Sequence, residues 1–247
     1  MKDLNVLIVG GGSGLGALTA QFCVRDGALG VGIMDVNGDS ATVVTNTLEG
    51  VATCAVEADI STRNSVEAGF LEVVKNLGVI DVVINCAAIY PRKPILSISD
   101  EDWDLSNGIN IKGTYHVMVA SIQHMREQPI KNKVRGRIVN ISSVDAFKAH
   151  PQNAHYAATK AAVVSLTKSF AAEVASDNIL INSVAPAGMA TEKAKASGIV
   201  QELAQASPLG RGAEVEEIAE WVMMAAGTKN TFMTGENIIV SGGYIYA

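Results

Sequence analysis

A chain of 247 residues with 48% hydrophobic and 18% charged side chains can bury one large core, and α/β folds of this length commonly form one domain. Its net charge of −6, with no Lys/Arg cluster to offset it, argues against nucleic acid or an anionic membrane and leaves small molecules as partners. Cys23, Cys54 and Cys86 are odd in number, widely spaced and set among apolar residues, which fits free thiols in a reducing cytoplasm rather than a disulfide or zinc framework.

Taken in chain order, short β-branched runs at Asn5–Val9, 30–34, 51–56, 81–85, Gly136–Ile141, 179–184 and Asn237–Val240 read as seven buried parallel strands. The segments between them carry apolar residues three and four apart, as in Ala17, Ala20, Cys23 and Val24, or Val163, Leu166, Phe170 and Val174. This predicts crossover helices, including one long helical stretch over 101–126. The expected fold is a single-domain, Rossmann-type, doubly wound α/β sheet of seven mainly parallel strands over 1–247, with helices on both faces. Residues 88–99 and 187–207 are the longest irregular stretches and lie just past strands four and six, on the side where such sheets bind ligands. Neither a signal peptide nor a transmembrane helix is indicated, so a soluble cytoplasmic protein is expected. The four histidines contain no His-Glu-x-x-His pattern, and no metal site is expected.

The first strand runs into Gly10-Gly11-Gly12-Ser13-Gly14-Leu15-Gly16 and then a helix. Glycines there let the backbone approach a pyrophosphate, whose charge meets the helix N-terminus, although the spacing is G-x-x-x-G-x-G rather than G-x-G-x-x-G. Gly10, Ser13, Gly14, Leu15 and Gly16 are therefore candidate dinucleotide contacts. Asp35 follows Gly16 by nineteen residues. It either accepts hydrogen bonds from an adenosine ribose or caps the turn before Asn37-Gly38. With no basic residue at Ser13 or Val36, a 2′-phosphate would be repelled, which favours NAD over NADP. Asp59, followed by Ile60, either receives the adenine amino group or N-caps a helix beginning near Ser61.

Tyr156 and Lys160 stand one helical turn apart and so share a face. A fixed cation near a phenol favours the phenolate, which makes Tyr156 a candidate general acid/base and predicts a lowered tyrosine pKa. The same spacing also occurs as an exposed helix pair.

In sequence order, the glycine turn, Asp59, Asn85-Cys86-Ala87-Ala88, Asn110, Ser142-Ser143, Tyr156-x-x-x-Lys160, Asn182, the stretch from Pro186 to Thr191 and Gly235…Gly242-Gly243 resemble the classical short-chain dehydrogenase/reductase family across essentially the whole chain. The resemblance implies that Ser143 holds the substrate oxygen, that Tyr156 exchanges the proton, that Lys160 tunes Tyr156 and binds the nicotinamide ribose, and that Asn110 holds a relaying water. It places Asn85, Ala87, Pro186, Met189 and Thr191 beside the cofactor and implies a homodimer or homotetramer. Ser142 is expected to be structural, since adjacent strand residues face opposite ways. Ala88 and Ala187 replace family glycines, and a positive φ at either would strain the loop.

The substrate walls are expected from Tyr90, Phe147, His150, Met189 and Ala190, a mostly apolar set that predicts an apolar or aromatic secondary alcohol and its ketone. Asp145, two residues past Ser143, either recognises an ammonium or hydroxyl of an amino-alcohol, vicinal diol or hydroxyketone, or is a solvated turn residue. Competing readings are an acyl-thioester reductase, against which Asp35 argues, and a non-catalytic dinucleotide sensor, for which Ser143, Tyr156 and Lys160 would be superfluous.

Overall fold

The seven β-branched runs assemble into one sheet because each places apolar side chains on both of its faces. The computed structural model describes residues 1–191, 194, 201, 204, 205 and 207–246. Its strands are β1 Asn5–Val9, β2 Gly30–Asp35, β3 Ala52–Glu57, β4 Val82–Asn85, β5 Gly136–Ile141, β6 Ile179–Pro186 and β7 Asn237–Val240. They lie in the order β3-β2-β1-β4-β5-β6-β7, and every neighbouring pair is parallel. The order reverses between β1 and β4, opening a crevice at the carboxyl ends of the strands.

Helices α1 Gly14–Arg25, α2 Gly38–Thr45, α3 Arg63–Leu77, α4 Asp100–Ser106, α5 Thr114–Arg126, α6 Ala154–Val174 and α7 Val215–Ala226 cover the sheet. Alternation along β1 shows how one strand serves two cores. Val6 and Ile8 pack on the side of Ala20 and Cys23 of α1 and Ile218 and Val222 of α7. Leu7 and Val9 pack on the side of Phe70 of α3, Met118 of α5 and Val174 of α6.

The helical stretch predicted as continuous over 101–126 is interrupted by a π-helical segment, Asn107–Gly113, within which Asn110 is buried. Such segments carry one extra residue per turn, and hydropathy periodicity does not reveal them. Residues 192, 193, 195–200, 202, 203 and 206 of the expected substrate loop lie outside the described residues. Among the described residues, no helix is long and apolar enough to cross a membrane.

Candidate active site

The glycine turn is shaped by contacts that tolerate no side chain. Gly10 has φ +72°, and a Cβ there would stand 2.5 Å from the Ala87 amide nitrogen. A Cβ on Gly16 would meet the Gly10 carbonyl oxygen. Gly14, at φ +53°, has nothing within 4 Å of where a Cβ would project, so the start of α1 faces open space. Ser13 is the N-cap of α1 and makes no side-chain cap bond, and the first turn carries no acidic residue. An open helix N-terminus beside a glycine cradle fits a dinucleotide pyrophosphate.

Asp35 ends β2 beside that cradle. Its carboxylate accepts from the Gly12 amide at 2.9 Å and from the Asn37 amide at 3.0 Å. It therefore does cap the turn, while also holding the glycine turn in place, and each oxygen retains acceptor capacity. Val36 next to it is 68% exposed, so no side chain covers that end of the crevice. Asp59 accepts from the Ser61 amide at 2.9 Å, an Asx turn rather than a helix cap, since α3 begins only at Arg63 with Thr62 as its N-cap. Buried Ile60 uses its carbonyl to bond His116 Nδ1 at 2.9 Å. Asn85, at the end of β4, donates to Thr114 Oγ1 at 3.2 Å, and the chain turns there with the Cys86 amide bonded to the Val9 carbonyl. Neither Ala88 nor Ala187 has a positive φ, so both loops accommodate the alanine without backbone strain.

The chemical end gathers at the carboxyl ends of β4, β5 and β6. Ser142 donates to Asn237 Oδ1 at 2.6 Å and to the Val184 carbonyl, which makes it structural as expected. Ser143 points the other way, accepts from the Asp145 amide at 3.1 Å and lines the same cavity as Tyr156. Asn110 is fully engaged: it accepts from the Ile89 amide at 2.9 Å and donates to the Ile89 carbonyl at 3.0 Å and to Thr159 Oγ1 at 3.1 Å. It ties the loop past β4 to α6.

One electrostatic expectation is corrected. Burial, then the Asp145 charge, push the Tyr156 pKa up, against the opposing effect of Ser143. Lys160 does not offset this: its Nζ lies 5.6 Å from the Tyr156 ring centroid and donates instead to the Ile141 carbonyl at 2.7 Å. Burial lowers the lysine itself to about 8, weakening it as a fixed cation.

A cavity of ≈1040 Å³ opens over this cluster. Of the expected residues, Tyr90, Ser143, Asp145, His150, Tyr156, Pro186, Met189 and Thr191 line it. Asn110 and Lys160 are buried and do not form its wall. Phe147 is a correction: it is 42% exposed and not part of the wall, because the short 3₁₀ turn Val144–Ala146 carries it past the cleft. Ala190 is buried away from the cavity in the same way, with its amide tied to the Ala213 carbonyl. Tyr90 packs edge-on against Tyr156 at 4.6 Å between centroids. Asp145 is buried, contrary to the solvated-turn alternative. Leu105, Leu209, Arg211, Glu217, Trp221 and Tyr244 also line the wall and were not expected, since nothing in their local sequence marks them.

A family model described as enoyl-(acyl carrier protein) reductase matches residues 10–245. The short-chain reductase protein NovJ of Streptomyces niveus is 32% identical over 96% of this chain and 92% of its own length. The 3-oxoacyl-[acyl-carrier-protein] reductase FabG of Thermotoga maritima is 32% identical over 97% and 96%, and the probable galactose dehydrogenase GalD of Rhizobium meliloti 28% over 98% and 95%. Among solved structures, an NAD+-bound xylitol dehydrogenase superposes with a TM-score of 0.91 at 25% identity, covering 98% of this chain and 99% of that one. A short-chain type dehydrogenase/reductase from Mycobacterium marinum does so at 0.90 and 26%, covering 98% and 96%. With its glycine turn, its parallel seven-stranded sheet and these relatives, the chain belongs to the classical short-chain dehydrogenase/reductase family.

Proposed function

We propose that the protein is an NAD-dependent oxidoreductase interconverting a secondary alcohol and its ketone. The observation that carries this reading is that Ser143 and Tyr156 stand together at the wall of a largely apolar cavity next to the dinucleotide crevice, with Tyr90 packed edge-on against the Tyr156 ring. A bound nicotinamide would take up or give back the hydride. The chain's own residues do the rest. Ser143 Oγ orients the reacting oxygen, Tyr156 Oη removes or returns its proton, and Tyr90 holds the Tyr156 ring edge-on. Gly10, Ser13, Gly14, Leu15 and Gly16 would cradle the pyrophosphate, with Asp59, Ile60, Asn85 and Ala87 along the crevice. Pro186, Met189 and Thr191 would border the nicotinamide.

Asp35 supports NAD, because a carboxylate at that place accepts ribose hydroxyls and repels a phosphate. The tie to the Ile141 carbonyl occupies the Lys160 ammonium, so a contact with the nicotinamide ribose requires that the ammonium turn toward bound ligand. The walls support an alcohol with an apolar or aromatic substituent. A second reading, reduction of a 3-oxoacyl thioester, is favoured by the Thermotoga relative and by the description of the family model. A non-catalytic sensor is disfavoured by the intact Ser143, Tyr156 and Lys160. A second copy of this chain, in a dimer or tetramer, is the expected macromolecular partner.

The test is reduction of NAD, then of NADP, with a panel of secondary alcohols at alkaline pH, beside oxidation of both reduced cofactors with a 3-oxoacyl thioester. Turnover of an alcohol with NAD at least tenfold above NADP supports the proposal. Turnover of the thioester alone overturns it in favour of the second reading, and no turnover of any of these revives the sensor.

A further inference from the structure

The expected walls are apolar, yet one carboxylate is buried among them. Asp145 is 8% exposed, lines the cavity and sits on the same turn as Ser143, whose hydroxyl accepts the Asp145 backbone amide at 3.1 Å. A buried carboxylate is unfavourable unless it is compensated or has a ligand. Arg92 and His150 line the same cavity, and Lys148 lies three residues further along the chain. Lys148 is itself stacked on the Tyr244 ring at 3.9 Å and contacts its hydroxyl, so it remains on the cavity rim.

Resting on the reading of Tyr156 and Ser143 as the site that handles a carbinol, we propose that Asp145 is the residue that selects the substrate, by accepting a hydrogen bond from a hydroxyl on the carbon next to the reacting one. The substrate class is then a vicinal diol and the corresponding α-hydroxyketone, with an apolar or aromatic substituent lying against Tyr90, Met189, Leu209 and Trp221. The positive surroundings decide between the two donors the carboxylate could take. An ammonium would enter a cavity whose lining includes Arg92 and whose rim carries Lys148, and like charge would oppose it. A neutral hydroxyl meets no such opposition and still receives a charge-assisted bond.

The reaction balances on the groups named. The reacting C–H leaves as hydride to NAD+, and its O–H proton goes to the ionised Tyr156. The neighbouring hydroxyl is unchanged and stays on Asp145. Asp145 neither gives nor takes a proton in the step. Its influence on the reacting oxygen is electrostatic, since its charge raises the Tyr156 pKa.

The test uses three matched compounds with a phenyl group: a vicinal diol, the mono-alcohol lacking the second hydroxyl, and the amino-alcohol carrying an amine in its place. For the native protein with NAD, kcat/KM for the diol is expected to exceed that for the mono-alcohol by about 10- to 100-fold, the range of one hydrogen bond to a charged group. In Asp145→Asn the ratio should fall to within about threefold of one, and the pH at which diol oxidation rises should move down. Binding of the three compounds, followed through the fluorescence of Trp221 in the cavity wall, should show the same ordering without turnover, and a melting curve separates misfolding of the variant from lost recognition. Equal turnover of diol and mono-alcohol by the native protein overturns the selection while leaving the alcohol dehydrogenase reading intact. Preference for the amino-alcohol overturns the hydroxyl donor. Absence of turnover with all three and with the wider alcohol panel refutes the underlying reading instead.

Discussion

Gly16→Ala isolates the steric demand of the nucleotide turn. Gly16 lies in the first turn of α1, where alanine is intrinsically the better helix former by about 1 kcal/mol. Against that gain, its Cβ would collide with the Gly10 carbonyl oxygen and stand 2.9 Å from Gly11 Cα and 3.0 Å from the Gly10 carbonyl carbon. All three are backbone atoms, so no rotamer change relieves the overlap, and the cost belongs at the upper end of the ~1–3 kcal/mol typical of overpacking. The net loss is about 2 kcal/mol, a fall in Tm of roughly 4–8 °C for a chain of this size. The strain moves Gly10 and Gly11, so dinucleotide affinity should also fall by at least tenfold. Urea or thermal melts and a calorimetric NAD titration read the two effects separately. Gly78→Ala is the control: at φ +77° and ψ −117° it has nothing within 4 Å, so it should cost ~1–3 kcal/mol of purely backbone strain and leave NAD affinity within twofold. A Gly16→Ala variant that melts like the native protein and binds NAD as tightly would refute the reasoning.

Tyr156→Phe removes the proton-exchanging hydroxyl and should lower kcat by about 10²–10⁴-fold, and a decline of less than tenfold would take Tyr156 out of that role. Alcohol oxidation needs the ionised phenol, so its rate should rise with pH through the Tyr156 pKa. Burial, then the charge of Asp145, place that pKa high against the opposing effect of Ser143, with Tyr90 also raising it. Asp145→Asn removes a negative neighbour, lowers the pKa and shifts the rising limb to lower pH; a shift upward would contradict the assignment. Asp35→Ser should erode the preference for NAD over NADP by at least tenfold in kcat/KM and destabilise the glycine turn by ~1 kcal/mol through the lost bond to the Gly12 amide, read by melting. Lys160 has a folded-state pKa lowered to about 8 against about 10.4 in the unfolded chain, so between those values the unfolded state binds more protons and stability rises with pH. Lys160→Met should flatten that rise in ligand-free protein, a change of roughly 3 kcal/mol across the window, and an unaltered pH–stability curve would place the lysine in solvent.

Short-range pattern was enough for most of the architecture. β-branched runs, helical periodicity and glycine spacing are local signals, and they placed all seven strands to within one or two residues, with β2 running on to Asp35 and β6 to Pro186. The order of motifs likewise marked Ser143, Tyr156, Lys160 and Asn110 before any geometry existed. Local pattern failed where one extra residue per turn changes the path of the chain, as in the π-helical Asn107–Gly113, because periodicity averages over that distance.

By itself, then, the amino-acid order determined the doubly wound sheet and the glycine turn after β1, and it singled out the residues of the candidate reaction centre. Tertiary structure alone decided their electrostatics and the cavity they face. Sharing a helical face does not make Lys160 lower the Tyr156 pKa, since a carbonyl of a different element, Ile141, captures the ammonium and burial weakens it. The walls come from Tyr90, Asp145, Leu209, Trp221 and Tyr244, far apart in sequence and adjacent only after folding. Burial of Asp145 and exposure of Phe147, two residues apart on one short turn, could not be told from composition, because which of them enters the cleft depends on how that turn packs against α6.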